Sequence, residues 1–165
     1  MSKVTTQSDC CDRAEKLSVG IYRDHEDAIM PTCAYDNDVG YDLYALEDVD
    51  IRPGTLMEVR TGVHLALPPG VFAQINTRSS FGKQGLMVHH GVIDPGYTGE
   101  LSLWVMNIVG TVDKNEVIRR DPCSIKKGDK VAQILFHRAL TPTLKKIKSL
   151  PKTDRGNKGH GSSGK

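Results

Sequence analysis

The chain has 165 residues, of which 38% are hydrophobic and 25% charged, and its net charge is +2. That length suits one domain that buries a core without covalent staples. No apolar run approaches the length of a membrane span, which excludes a helical membrane protein, and the near-neutral charge by itself singles out no partner.

In chain order, the opening MSKVTTQSDCCDRAEK has no apolar stretch of signal-peptide type, so export is not expected. Residues 1–16 read as a disordered segment and the protein as cytoplasmic, with the nucleus the other open compartment. In such a reducing setting Cys10, Cys11, Cys33 and Cys123 read as free thiols. The adjacent Cys10 and Cys11 lack a second pair at ligand spacing, so no metal–thiolate site is expected.

From residue 17 to residue 150 strand signals dominate. LMEVRTGVHLAL sets Val63, Leu65 and Leu67 against His64 and Ala66, and VFAQINT sets Val71, Ala73 and Ile75 against Phe72, Gln74 and Asn76. Pro53-Gly54 and Pro68-Pro69-Gly70 cut the chain into short pieces. GELSLWVMNIV and DKVAQILFHRAL read the same way. Short strands between turn signals predict an all-β barrel or sandwich with at most one short helix. In LSLWVMN, Leu101, Leu103 and Val105 line one face while Trp104 and Met106 line the other. A strand apolar on both faces needs cover on both, and a partner subunit is a ready source. The stretch 151–165 reads as a flexible arm. Seven Lys or Arg residues and one acid, Asp154, fall between Lys145 and Lys165.

Four segments carry groups suited to chemistry. DVGYDLYAL puts Asp42 at the start of a strand. NTRSSFGKQG combines a cation, two hydroxyls and a glycine turn, which suits anionic oxygens. GVIDPGYTGEL presents Asp94, a Pro-Gly turn and Tyr97, and KKGDKVAQILF offers Gln133 inside a strand. Singly, each has an ordinary explanation as turn former, surface loop or packing residue. The tail RGNKGHGSSGK spells G-x-x-x-x-G-K from Gly159, the opening of a Walker A loop, but without the Ser or Thr and the helix that the loop requires next.

Combination and order are more specific. Gly40-Tyr41-Asp42-Leu43, Arg78-Ser79-Ser80, Gly91-Val92-Ile93-Asp94-Pro95-Gly96-Tyr97-Thr98-Gly99-Glu100, Gly128-Asp129-Lys130-Val131-Ala132-Gln133 and the tail Arg155–Gly164 resemble the five ordered motifs of the trimeric deoxyuridine triphosphatases (dUTPases). The resemblance spans about residues 17 to 165. It implies a jelly-roll-like β-barrel homotrimer that hydrolyses dUTP to dUMP and pyrophosphate, keeping uracil out of DNA and supplying dUMP.

It also implies roles. Asp94 would be the general base that polarises the attacking water, and Tyr97 would pack on the deoxyribose and exclude a 2′-hydroxyl. The hairpin from about Gly85 to Val92, including Gly91, with Ile93 beside it, would read uracil through backbone groups and reject a 5-methyl group and cytosine. Arg78, Ser79, Ser80 and Gln133 would hold phosphate oxygens. Asp42 would accept hydrogen bonds from waters on a Mg2+ ion bridging the phosphates. The tail would be a lid from a third chain, with Arg155 as a bidentate cation, His160 against uracil, and Gly161, Ser162 and Ser163 closing on phosphate. Sites shared between subunits would fit the two-sided strand at Trp104.

This chain departs from the pattern in its tail. His160 stands where Phe is usual, Lys158 where glycine is usual and Ser163 where Thr is usual, all of which bear on lid closure. His89 and His90 read as exposed turn residues. A dCTP deaminase of the same fold needs a glutamate where register puts Trp104, which cannot shuttle protons. A non-catalytic trimeric binding module would lose the aspartate or the tail. A nucleic-acid-binding barrel would need interleaved aromatics that the basic end lacks, so no nucleic-acid partner is expected.

Overall fold

A computed structural model describes residues 17–157 apart from 109, 114–115 and 120–121, and for 110–113 and 116–119 the backbone strands alone. The expectations for residues 1–16 and for Lys158, His160, Gly161, Ser162 and Ser163 lie outside the described residues, as do Cys10 and Cys11. Cys33 and Cys123 are free thiols.

The described chain is almost entirely β. In order it forms β1 (Gly20–Arg23), β2 (Gly40–Tyr44), β3 (Val49–Ile51), β4 (Leu56–Val59), β5 (Val63–Ala66) and β6 (Val71–Thr77). A single turn-length helix, α1 (Ser79–Lys83), precedes β7 (Leu86–Val88), β8 (Val92–Ile93), β9 (Leu103–Asn107), β10 (Gly110–Asp113), β11 (Glu116–Arg119), β12 (Cys123–Ile125) and β13 (Lys130–Arg138). The largest sheet runs β2-β13-β6-β8, and a second runs β4-β9-β7. Pairs β1-β5, β3-β12 and β10-β11 complete the set, so the hydrogen bonds draw five antiparallel sheets rather than one continuous barrel wall.

Alternation explains the layering, because side chains on a strand point in turn to opposite faces. Val63 and Leu65 of β5, Val71, Ala73 and Ile75 of β6, and Leu103 and Val105 of β9 all enter one core. Their intervening neighbours stay outside. Each such aliphatic side chain contributes roughly 1.5–3 kcal/mol relative to exposure.

The outer face of β9 is the exception to polar outside. Trp104 is 46% exposed and Met106 41%. Met106 is opposite Leu56 on one neighbour and Met87 on the other, both also exposed. One row across three strands is therefore apolar and uncovered in the isolated chain. After β13 the amide of Ala139 donates to the Gly70 carbonyl (2.8 Å). From Leu140 to Asn157 the chain is exposed and free of strand, carrying Leu140, Leu144, Ile147 and Leu150 outward.

Candidate functional site

Register assembles one cleft. On the largest sheet Asp42 of β2 is opposite Gln133 of β13, and Gln133 is opposite Asn76 of β6. Two positions after Asn76, as β6 ends, comes Arg78, which turns back so that its Nε lies 2.8 Å from Asp42 Oδ1. One of its terminal nitrogens donates to the Lys130 carbonyl (2.9 Å), which fixes the guanidinium plane. Ala34, Asp38, Gly40, Asp42, Arg78, Ser79 and Gln133 line a cavity of about 240 Å³. A second cavity of about 260 Å³ shares Arg78 and adds Ser80 and Lys130. Gly40 is required by space, since a Cβ there would sit 2.7 Å from Gln133 Oε1.

Lys130 was not singled out by its residue type, yet its Nζ lies 2.8 Å from Asp42 Oδ2. The cause is a bulge: β13 shifts register against β2 between Lys130 and Ala132. Val131 and Ala132 can then both be buried while Lys130 leans over the cleft. The Asp42 carboxylate beside Lys130 raises the lysine's pKa above its ordinary value. Asp42, 9% exposed, is therefore a carboxylate held between two cations, and each of its oxygens keeps a further lone pair.

That donor set decides how a metal can enter. Among the described residues no group of three or more His, Cys, Asp or Glu side chains converges to hold a metal ion. One carboxylate between two cations is a poor home for a bare divalent ion. It suits an ion that arrives on an anionic ligand and keeps its waters, which is the habit of Mg2+ with phosphates.

Asp94 is elsewhere. It follows β8, which pairs with β6 through Ala73↔Ile93 and Gln74↔Val92. Its carbonyl accepts from the Tyr97 amide (3.0 Å), closing the Pro95-Gly96 turn, and the Asp94 side chain is exposed. The Tyr97 hydroxyl donates to the Glu100 carbonyl (3.0 Å), and its ring lies over Gly99, where a Cβ would collide with it. Glu100 anchors the far end of the loop. Its Oε1 accepts from the amides of Thr61 (3.1 Å) and Gly62 (2.8 Å), and its Oε2 meets Arg60 at 3.0 Å. Sequence reasoning gave Glu100 no role beyond its place in the motif.

Along β6 the Asn76 row and the position facing Asp94 are four residues apart. Across the sheet β2 and β8 are three strand steps apart. At about 3.3 Å per residue and about 4.8 Å per strand, Asp42 and Asp94 of one chain sit on the order of 20 Å apart, at opposite corners. The two carboxylates of one chain thus lie in separate regions of the sheet.

The expected hairpin from Gly85 to Val92 takes another form. β7 pairs with β9 and β8 pairs with β6, so the two segments belong to different sheets and the stretch crosses between them. Thr77 fixes the crossing: its hydroxyl accepts from the Val88 amide (2.9 Å) and donates to the Val88 carbonyl (3.1 Å). Gly91 offers its carbonyl to the Ile75 amide (2.9 Å), Val92 is exposed and Ile93 is buried. His89 and His90 are exposed, as expected for turn residues. Of the tail, Arg155 is described, on the exposed segment that ends the described chain.

A family model described as dUTPase matches residues 26–164. The deoxyuridine 5'-triphosphate nucleotidohydrolase of Mycolicibacterium vanbaalenii is 34% identical over 155 residues, covering 89% of this chain and 95% of its own. The enzyme of the same name from Mycobacterium tuberculosis is 36% identical over 143 residues, covering 82% and 87%. Among solved structures, the dUTPase of Staphylococcus bacteriophage 80alpha with dUpNHpp aligns with a TM-score of 0.76 at 27% identity, covering 89% of this chain and 98% of that one. The dUTPase of phage phi11 of S. aureus, whose structure concerns the coordination of a structural Mg(II) ion, aligns with a TM-score of 0.69 at 28% identity, covering 80% and 97%.

Proposed function

Because the chain belongs to the dUTPase family, we propose that it hydrolyses dUTP to dUMP and pyrophosphate at sites each built from more than one subunit of a homotrimer. The observation that carries the reading is the cleft in which Arg78, Ser79 and Gln133 surround the Asp42 carboxylate, with Asp94 at the opposite corner of the same sheet. A symmetric ring brings one chain's Asp94 corner against its neighbour's Arg78 corner and so unites the halves. The uncovered row Leu56, Met106 and Met87, with Trp104, supplies apolar surface for that assembly.

Within such a site Asp94 takes a proton from water as that water attacks the α-phosphorus in line, with pyrophosphate leaving. Arg78 binds phosphate oxygens and loses part of its hold on Asp42 as it does so. Ser79, Ser80 and Gln133 donate to the remaining oxygens. Asp42 would hold a triphosphate-borne Mg2+ ion through hydrogen bonds from its waters, and the ion would supply charge neutralisation. Tyr97 swings from the Glu100 carbonyl onto the deoxyribose. The backbone between His89 and Val92 reads uracil, rejecting cytosine because mismatched donors and acceptors would be buried unpaired. Arg155 and the tail residues His160, Gly161, Ser162 and Ser163 cover the bound nucleotide, contributed by a third chain.

The test is pyrophosphate release from dUTP and from dCTP, with and without Mg2+. Release from dUTP that depends on Mg2+ and is absent with dCTP is expected. Conversion of dCTP to dUTP would favour the deaminase reading, and binding without turnover would favour a non-catalytic module.

A further inference from the structure

We propose that His64, held as an imidazolium between the Thr98 carbonyl and the Asp24 carboxylate, is a positioning residue for the Asp94–Tyr97 loop, so that turnover requires a proton on His64. The inference rests on the reading of Asp94 as the general base.

His64 projects outward from β5, between the buried Val63 and Leu65, and its side chain is 19% exposed. Its Nδ1 lies 2.9 Å from the Thr98 carbonyl, which can only accept, so that nitrogen carries a hydrogen. Its Nε2 lies 3.1 Å from Asp24 Oδ2, in a charge contact oblique to a hydrogen-bond line. A neutral imidazole has one N–H. With the hydrogen on Nδ1, a lone pair faces the Asp24 carboxylate. With it on Nε2, Thr98 loses its donor. Only the imidazolium suits both neighbours.

The surrounding groups reinforce this. From β1 the Tyr22 ring tilts against His64 with centroids 5.6 Å apart, and Asp24 follows that strand. Arg60, after β4, is a cation facing the cluster, and its charge is shared by Glu100 at 3.0 Å and Asp24 at 3.8 Å, with Glu47 acting on it at longer range. The Thr98 carbonyl, then Asp24 and Glu100, raise the imidazole pKa above its ordinary 6.5 against the opposing effect of burial.

The tie lies where it affects chemistry. Thr98 directly follows Tyr97, whose amide closes the turn onto Asp94. The other end of the loop is held through Glu100, and through the Leu101 amide to the Val63 carbonyl (2.8 Å). As pH rises through the raised pKa, the proton leaves, Thr98 is released or Asp24 repels the ring, and the Asp94–Tyr97 turn loses its brace.

The experiment starts with intact wild-type trimer and dUTP at mildly acidic pH. No pyrophosphate there would overturn the hydrolytic reading and this inference with it. With turnover present, kcat and KM are followed from about pH 5.5 to about pH 9.5 for wild type, Asp24→Asn and His64→Gln. Expected is an alkaline fall in wild-type kcat that coincides with titration of the His64 ring seen by NMR on the same trimer. Asp24→Asn should move that fall down by about one pH unit, since it removes the facing carboxylate. His64→Gln, whose amide can still donate to Thr98 but cannot titrate, should abolish the fall with KM little changed. Alkaline limbs that superimpose in all three proteins, or a His64 ring that titrates at or below 6.5, would overturn the assignment of His64 while leaving the hydrolytic reading intact.

Discussion

Subunit mixing tests the division of the site between chains most directly. Asp94→Asn removes the base and should lower kcat by about 10²–10⁴-fold, the usual worth of a positioned general base. Arg78→Ala removes the cation at the other corner and should leave phosphate poorly held. Each homotrimer is expected to be nearly inactive. The separation of the two corners, on the order of 20 Å, means that neither chain can complete a site with its own residues. In trimers assembled at random from equal amounts of the two variants, a given interface draws a sound Asp94 from one neighbour half the time. It draws a sound Arg78 from the other neighbour half the time. About a quarter of the interfaces are then intact over the whole population. In co-expressed, differently tagged and doubly purified mixed trimers one interface of three is intact, so these should recover about a third of wild-type turnover. Pyrophosphate release under saturating dUTP measures it. Mixed trimers as inactive as either parent, with normal melting and size, would refute the geometry.

Three further outcomes are expected. Gly40→Ala should raise KM for dUTP severalfold with little change in melting temperature, because the new methyl falls 2.7 Å from Gln133 Oε1 and displaces that side chain; an unchanged KM would mean Gln133 does not touch substrate. Glu100→Gln should lower the urea midpoint, at a cost of about 1–2 kcal/mol, since it weakens a charge-assisted set of bonds to Thr61, Gly62 and Arg60; the m-value should stay constant. Truncation before Arg155 should leave a folded trimer by light scattering that turns over dUTP very slowly, because the exposed described part of the tail adds nothing to the core.

Period-two patterning made the core strands readable: Val63, Leu65, Val71, Ala73, Ile75, Leu103 and Val105 were all expected inside and all are buried. The same alternation set Trp104 and Met106 on the face opposite Leu103 and Val105, and in the isolated chain that face is exposed. Asp42, Arg78, Ser79 and Gln133 were legible as motif residues and converge on one cavity. What sequence could not supply was register. Nothing in the order of the motifs says that Asp94 lies at the far corner from Asp42, because that depends on which rows of β6 meet β8 and β13. The resemblance implied a hairpin from about Gly85 to Val92, yet β7 and β8 pair with different sheets. Lys130 escaped notice because a bulge, not alternation, aims it at Asp42. Helix α1 is five residues long, too short to leave a periodic trace.

The two-ended use of β6 sets how the assembly tolerates damage. One strand leads into Arg78 at its C-terminal end and braces β8, and so Asp94, nearer its other end. A chain whose β6 is misfolded therefore withdraws a part from the interface on its left and another from the interface on its right. In the proposed ring of three such interfaces, a single faulty copy would silence about two thirds of the catalytic capacity, although two thirds of the chains are sound. Loss of function then outruns the dose of faulty protein.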